Sequence, residues 1–79
     1  MRATVLVRPK SGILDPQGEA VERALEHLGF SVSGARVGKV VDLEVDGDDE
    51  AAARDQVERM CERLLANPLI ESYEIEIVG

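Results

Sequence analysis

The sequence predicts an α+β domain in which two helices pack on one face of a four-stranded antiparallel sheet. Four stretches of β-branched or alternating apolar residues have the pattern of strands, and two stretches with apolar residues at helical spacing separate them. Their order is β-α-β-β-α-β, and each helix has a single apolar stripe that one sheet face can cover. This order is typical of the ferredoxin-like arrangement or a relative of it.

The first strand and the first helix have clear boundaries in the sequence. The strand is Ala3 to Arg8, and it ends at Pro9, which cannot donate to a sheet. Asp15 and Pro16 predict the helix start, since aspartate caps free N–H groups and proline suits the first helical position. Gly29 offers the left-handed conformation that ends a helix. The apolar stripe of this helix comprises Ala20, Val21, Ala24, Leu25 and Leu28.

The middle of the chain predicts a β-hairpin. The second strand covers Val32 to Val37 and is weakened by Gly34. Gly38 and Lys39 fit a two-residue type II′ turn, which needs positive φ at its first central residue. The third strand follows, with acidic residues alternating with Val41, Leu43 and Val45.

The second helix begins at Asp48 or Asp49, either of which can cap it. Asn67 and Pro68 end this helix, because asparagine tolerates the left-handed conformation and proline cannot continue a helix. Residues 72–77 alternate polar and apolar side chains and predict the last strand. The core stripe of the second helix comprises Ala53, Val57, Met60, Cys61, Leu64 and Leu65.

Composition limits the class of protein. The 79 residues, 44% of them hydrophobic, predict a single domain over residues 1–79. Sixteen acidic against nine basic side chains give a net charge of −7, which disfavours nucleic acid as a partner. No apolar stretch is long enough to cross a membrane, and no signal peptide is evident. A single cysteine excludes an internal disulfide and fits a reducing cytoplasm.

Candidate catalytic and metal motifs are weak. Residues 42–47 imitate the opening of a calcium loop, but position twelve is Ala53 where a glutamate is required. Residues 34–40 lack the spacing and the Ser or Thr of a phosphate loop. Cys61 lies within an apolar stripe, and His27 has no partner close in sequence. We therefore expect no catalytic residues, cofactor or metal in this chain, and no activity of the chain alone.

The predicted topology collects three turns at one end of the sheet, opposite the acidic turn of residues 46–50. Because strands and helices alternate in direction, the loop before the first helix, the hairpin and the turn after the second helix share this end. It gathers basic side chains in an acidic protein, and loops often carry function. The cap and turn residues at this end are also needed for folding alone, so the pattern fits a folding role and a docking role equally well. The docking surface predicted there is formed by Lys10, Leu14, Asp15, Pro16, Gln17, Gly18, Arg36, Gly38, Lys39, Asn67 and Pro68.

Several segments together carry a family resemblance: LDPQG at residues 14–18, RVGK at residues 36–39 and LLANPLIE at residues 64–71, with ALEHLGF at residues 24–30 between the first two. In this combination the chain resembles PurS, the small subunit of bacterial phosphoribosylformylglycinamidine synthase, over essentially its whole length. The resemblance implies a non-catalytic subunit that dimerises and joins a glutaminase subunit, PurQ, to a large synthetase subunit, PurL, in de novo purine synthesis. The ATP, Mg and glutamine of such a complex are used by the partners.

Self-association agrees with the small predicted core. A domain of this size has only about 3–5 kcal/mol of stability from its core, so a second copy would help it. The last strand, residues 72–78, is a candidate pairing edge for a dimer or tetramer.

Two other functions fit the predicted fold. The first is an ACT-like regulatory homodimer that binds a small molecule. The second is a small hydrolase similar to acylphosphatase, for which Arg8 beside Pro9 is poor support as an anion-binding loop.

Overall fold

The computed structural model describes residues 1–78, and Gly79 lies outside the described part. The chain forms a three-stranded antiparallel sheet and two helices, with β1 between β2 and β3. The α+β class and the antiparallel sheet are confirmed. The elements in chain order are β1 (Arg2–Pro9), α1 (Pro16–His27), β2 (Lys39–Glu44), α2 (Glu50–Met60), a π turn (Cys61–Leu65) and β3 (Glu71–Val78).

The core lies on one face of the sheet. Every second residue of β1 points to this face, since side chains alternate along a strand, and Val5 and Val7 are among the largest fully buried side chains. Val57 and Cys61 of the second helical segment are buried against them, and α2 packs on β3. The remaining buried apolar residues are Ala3, Val45, Ala53 and Ala66.

The predicted N-caps of both helices and the glycine at the end of α1 are confirmed. The Asp15 carboxylate accepts from the backbone N–H of Gly18, with Pro16 at the first helical position, and Asp49 accepts from Ala51 in the same way. Gly29 has a φ of 95° and ends α1. The next N–H, that of residue 30, donates to the carbonyl oxygen of residue 25 over 3.0 Å, as expected for a glycine-terminated helix.

The predicted fourth strand and its hairpin are wrong. Residues 32–37 pair with no strand, and Gly38 does not have the positive φ that a type II′ turn requires. The Val37 N–H instead donates to the Asp15 carboxylate over 2.9 Å, and the Arg36 side chain bonds the loop after β1. Hydrogen bonds to the start of α1 and to the end of β1 therefore hold this segment, which does not pair as a strand. Lys39 begins β2 directly after it.

The prediction that both helices pack on one sheet face is not met by the single chain. The stripe of α1 contributes no side chain to the core, and the one buried residue of this helix is Gly18. Leu28 remains 72% exposed, and Val21 is also exposed. The molecule is correspondingly elongated, with extents of 48 × 24 × 15 Å. The described chain thus leaves one amphipathic helix uncovered.

The end of the second helical segment also differs from its predicted pattern. The Ala66 N–H donates to the Cys61 carbonyl oxygen over 3.0 Å, five residues earlier, which makes this turn wider than an α-turn. One extra residue per turn rotates the following side chains by about 100°. Leu64 therefore points to solvent, 82% exposed, and Ala66 is buried instead. Asn67 follows the helix as predicted but without a positive φ.

Candidate docking surface

Three connecting segments meet at the end of the sheet where β1 finishes, although the middle one is not the predicted hairpin turn. The Lys10 N–H donates to the Ile70 carbonyl oxygen over 2.8 Å, which joins the first turn to the third. The bond from the Val37 N–H to Asp15 joins the first turn to the second. We call residues 10–18, 35–39 and 67–71 the turn-rich end. The amino terminus lies at the other end, where the ammonium group of Met1 donates to the Val45 carbonyl oxygen over 2.8 Å.

Asp15 connects two of these turns. One of its oxygens accepts from Gly18 at 3.1 Å, and the other accepts from Val37 at 2.9 Å. These backbone hydrogen bonds, the one from Val37 first, lower the pKa of the Asp15 carboxyl below its ordinary value, and the Arg36 charge acts in the same direction. Asp15 therefore both caps α1 and fixes the segment that returns from it.

Arg36 fixes the loop that follows β1. Its Nη2 donates to the carbonyl oxygens of Pro9, over 3.0 Å, and Lys10, over 2.7 Å. Arg36 lines two open depressions of about 370 and 380 Å³. Lys39, at the start of β2, lines one of these depressions. The surface thus offers cationic side chains and shallow concavities that could receive side chains of another protein.

The predicted docking residues Gly18 and Gly38 sit where two backbones nearly touch. A Cβ on Gly18 would collide with the Ala35 carbonyl oxygen and would lie 2.6 Å from an oxygen of Asp15. A Cβ on Gly38 would collide with the Val7 carbonyl oxygen. Both glycines are therefore needed for close packing of the turns, whatever else they contact.

Asn67 organises the third turn. Its side-chain oxygen accepts from the Leu69 N–H at 3.2 Å, and its carbonyl oxygen accepts from the N–H groups of Ile70 and Glu71. Its own N–H donates to the Glu71 carboxylate over 2.7 Å. Hydrogen bonds to Asn67 close this turn, and the side chains of Leu69 and Ile70 are exposed.

Apolar side chains at the turn-rich end point into solvent. Leu69 is 83% exposed and Leu14 is 71% exposed, while Ile13 and Ile70 are also exposed. Sequence reasoning named only Leu14 among them. The signal for the others is their position, since leucine and isoleucine flank a turn where polar residues usually stand. Exposed apolar side chains grouped in this way mark interaction sites more often than isolated ones do.

The remaining predicted residues lie at the same end with exposed side chains. Pro16 and Gln17 occupy the first turn of α1, and Pro68 lies in the third turn. Lys10 is exposed in the loop after β1, and Lys39 pairs with Val7 at the start of β2. The structure therefore places all eleven predicted residues at one end. Their contact with a partner stays a prediction.

Two titratable groups outside the turn-rich end have shifted pKa values. Cys61 is fully buried, and burial, together with the charges of Glu62 and Glu58, raises the pKa of its thiol. The Tyr73 hydroxyl donates to Glu62 over 2.7 Å, and this bond raises the pKa of Tyr73 to about 12. Within residues 1–78, no three His, Cys, Asp or Glu side chains are grouped to hold a metal ion.

The acidic residues that imitate a calcium loop belong to a strand and its neighbours. Asp42 accepts from the Thr4 hydroxyl over 2.9 Å, and Glu44 forms an exposed ion pair with Arg2 at 3.5 Å.

No helix of the described residues is long and apolar enough to span a bilayer.

Comparison with known proteins identifies the family. A sequence model described as PurS, phosphoribosylformylglycinamidine (FGAM) synthase, matches residues 2–79. The chain belongs to the PurS family. It is 46% identical to the PurS subunit of Synechocystis sp., over 99% of this chain and 77% of the relative, and 42% identical to that of Methanocaldococcus jannaschii, over 96% and 93%. The family is thus shown by near full-length similarity.

Solved structures agree with this family assignment. PurS of Bacillus subtilis superposes with a TM-score of 0.89 at 38% identity, covering 99% of this chain and 98% of that one. A chain in the structure of PurLQS from Thermotoga maritima superposes with a TM-score of 0.87 at 37% identity, covering 98% and 95%. The family consists of subunits of FGAM synthase, and the chain is accordingly a subunit of an enzyme of purine biosynthesis.

Proposed function

We propose that this chain is a non-catalytic bridging subunit that joins the glutaminase subunit PurQ to the ATP-dependent synthetase subunit PurL and supports ammonia transfer between them. The observation that carries the proposal is the exposure of leucine side chains at the turn-rich end. Its exposed leucines stand on turns that are already closed by hydrogen bonds, so a partner can cover them without any rearrangement of this chain. The PurLQS structure of a Thermotoga maritima relative supports these two partners.

A bridging subunit contributes binding energy and no bond chemistry. Holding two catalysts together lowers the entropy cost of assembling them, and a short path keeps ammonia from being protonated in bulk water. We assign the ATP, Mg and glutamine of the reaction to the partner subunits, with no cofactor in this chain. We also propose that the chain self-associates as a dimer or tetramer and acts in the cytoplasm.

Alanine substitutions at the turn-rich end test the docking surface. Leu69→Ala and Leu14→Ala remove exposed side chains, so each should change the free energy of unfolding by less than about 0.5 kcal/mol. A leucine buried on binding contributes about 1.5–3 kcal/mol, so each should weaken binding to the two larger subunits about ten- to a hundredfold. The matched control is Val78→Ala, an exposed apolar residue at the opposite end of the sheet.

Binding is measured by sedimentation of the mixed subunits with glutamine and ADP present. Unchanged binding by both leucine variants would remove the turn-rich end as the docking surface. Thermal melting of the chain with candidate amino acids and nucleotides separates the regulatory alternative, since a bridging subunit should show no shift and a ligand-binding module a clear one.

A further inference from the structure

Three basic side chains line one depression at the edge of the turn-rich end. The depression has a volume of about 370 Å³, and its cations belong to Arg8, Arg36 and Lys39. The whole chain has only nine basic residues against 16 acidic ones, so a third of its Lys and Arg side chains surround this depression. Like charges grouped in this way repel one another, and an anion between them relieves the repulsion. The grouping therefore favours an anionic occupant.

The chain itself compensates little of this positive charge. Arg8 lies 3.5 Å from Glu74, and both side chains of this pair are more than half exposed, so the pair is weak. Within residues 1–78, Arg36 and Lys39 belong to no ion pair. The Asp15 carboxylate is near enough to interact with Arg36, but both of its oxygens already accept backbone hydrogen bonds. The cations are thus available to a carboxylate from outside.

The guanidinium group of Arg36 is fixed in place by the chain. Its Nη2 donates to the carbonyl oxygens of Pro9 and Lys10, over 3.0 and 2.7 Å. Its Nε and Nη1 donate to no acceptor among the described residues, and the planar group holds these N–H bonds in a set direction. A donor that is already positioned loses little side-chain entropy when it binds.

One wall of the depression is apolar. Leu6 and Val40 face each other across β1 and β2 and point away from the core face, and Val40 is 61% exposed. A small inorganic anion gains nothing from such a wall. An acidic side chain of a protein carries methylene groups and apolar neighbours that cover it. The cations and the apolar wall together fit a carboxylate presented by another protein.

We propose that this depression receives an Asp or Glu side chain of one of the two larger subunits, which pairs with Lys39 and Arg36 and covers Val40. The inference rests on the proposed bridging function and names the chemistry of one docking contact. It adds Arg8 and the apolar pair of Leu6 and Val40 to the docking surface predicted from the sequence. Charge complementarity is the reason for choosing a carboxylate.

Sedimentation of the mixed subunits at low and high salt tests this contact. Lys39→Gln should weaken binding about five- to tenfold at low salt, and the loss should shrink at about 1 M salt, where charges are screened within about 3 Å. Lys39→Arg retains the charge and should bind within about twofold of wild type. The matched control is Arg2→Gln, which makes the same change in net charge at the other end of β1 and should bind like wild type.

The side chain of Lys39 is exposed, so thermal melting of its variants should match that of wild type. Binding by Lys39→Gln as tight as that of wild type would overturn the proposal. An equal loss in Arg2→Gln would also overturn it, because the effect would then come from net charge and not from a local pair.

Leu69→Ala separates this inference from the proposed function. If Leu69→Ala weakens binding but Lys39→Gln does not, the turn-rich end docks without a carboxylate, and only this inference fails. If neither variant weakens binding, both proposals fail. Inorganic phosphate, titrated into the isolated chain and followed by amide chemical shifts, should cause no saturable change at residues 36–40. Saturation in the millimolar range would assign the depression to a free anion and overturn the proposal.

Discussion

Substituting Gly18 by alanine tests the close packing at the turn-rich end. In an ordinary helix this change would stabilise the protein by up to about 1 kcal/mol. Here the new Cβ would meet the Ala35 carbonyl oxygen and lie 2.6 Å from Asp15 Oδ2, so a backbone segment must move. Overpacking of this kind costs about 1–3 kcal/mol. We expect a net loss of about 1–2 kcal/mol, and the melting temperature should fall by at least about 4 °C.

Urea unfolding followed by far-ultraviolet circular dichroism, at one fixed protein concentration, measures this loss. Gln17→Ala is the matched control, since Gln17 lies one residue earlier in the same turn of α1 and is exposed. The control should be as stable as the wild type or slightly more stable. If Gly18→Ala were at least as stable as the wild type, then Ala35 would not lie against α1 as described, and the account of the turn-rich end would fail.

Three further predictions concern the titratable groups. Because the pKa of Asp15 is lowered on folding, its carboxylate stabilises the fold above about pH 4, the pKa of an unfolded aspartate, and this contribution is lost as the pH falls through the folded pKa. The difference between the urea midpoints of wild type and Asp15→Asn should therefore shrink on acidification. A difference that stays constant with pH would contradict this explanation. Glu62→Gln should return the Tyr73 pKa from about 12 toward 10, as measured by ultraviolet titration, and no change would show that the hydrogen bond is not its cause. Iodoacetamide should modify Cys61 much more slowly in the folded than in the urea-unfolded chain, whereas equal rates would mean that this thiol is accessible.

Local signals in the sequence were sufficient wherever a residue acts on its near neighbours. Asp15 and Gly29 bound α1 as predicted, because capping involves only the adjacent turn of backbone. Alternation along β2 and β3 predicted which of their side chains face the core, because a strand in a half-buried sheet has to alternate.

The errors arose where a distant contact overrode the local pattern. Residues 32–37 have the composition of a strand, but the Val37 N–H is used by Asp15, 22 residues earlier. Leu64 has the spacing of a core residue, but the wide turn at Cys61–Leu65 rotates it into solvent. Neither effect can be derived from helical or strand periodicity, because periodicity describes only the regular spacing of residues within one element.

The location of the candidate docking surface could be predicted from the sequence, but some of its residues could not. Chain direction alone placed three turns at one end, and the bonds from Lys10 to Ile70 and from Arg36 to Pro9 confirm that proximity. The exposed side chains of Ile13, Leu69 and Ile70 were not predicted, since cap and turn signals consist of polar residues, proline and glycine. Apolar side chains within a polar-bonded turn are the signal that finds such surfaces.

We propose that this chain positions two catalysts and makes or breaks no covalent bond itself. The most direct test of this proposal is glutamine-dependent synthesis by the two purified larger subunits, assayed with and without this chain. We expect little synthesis without it, restoration when it is added, and no hydrolysis of glutamine or ATP by the chain alone. Full glutamine-dependent synthesis without the chain, or turnover by the chain alone, would contradict the account.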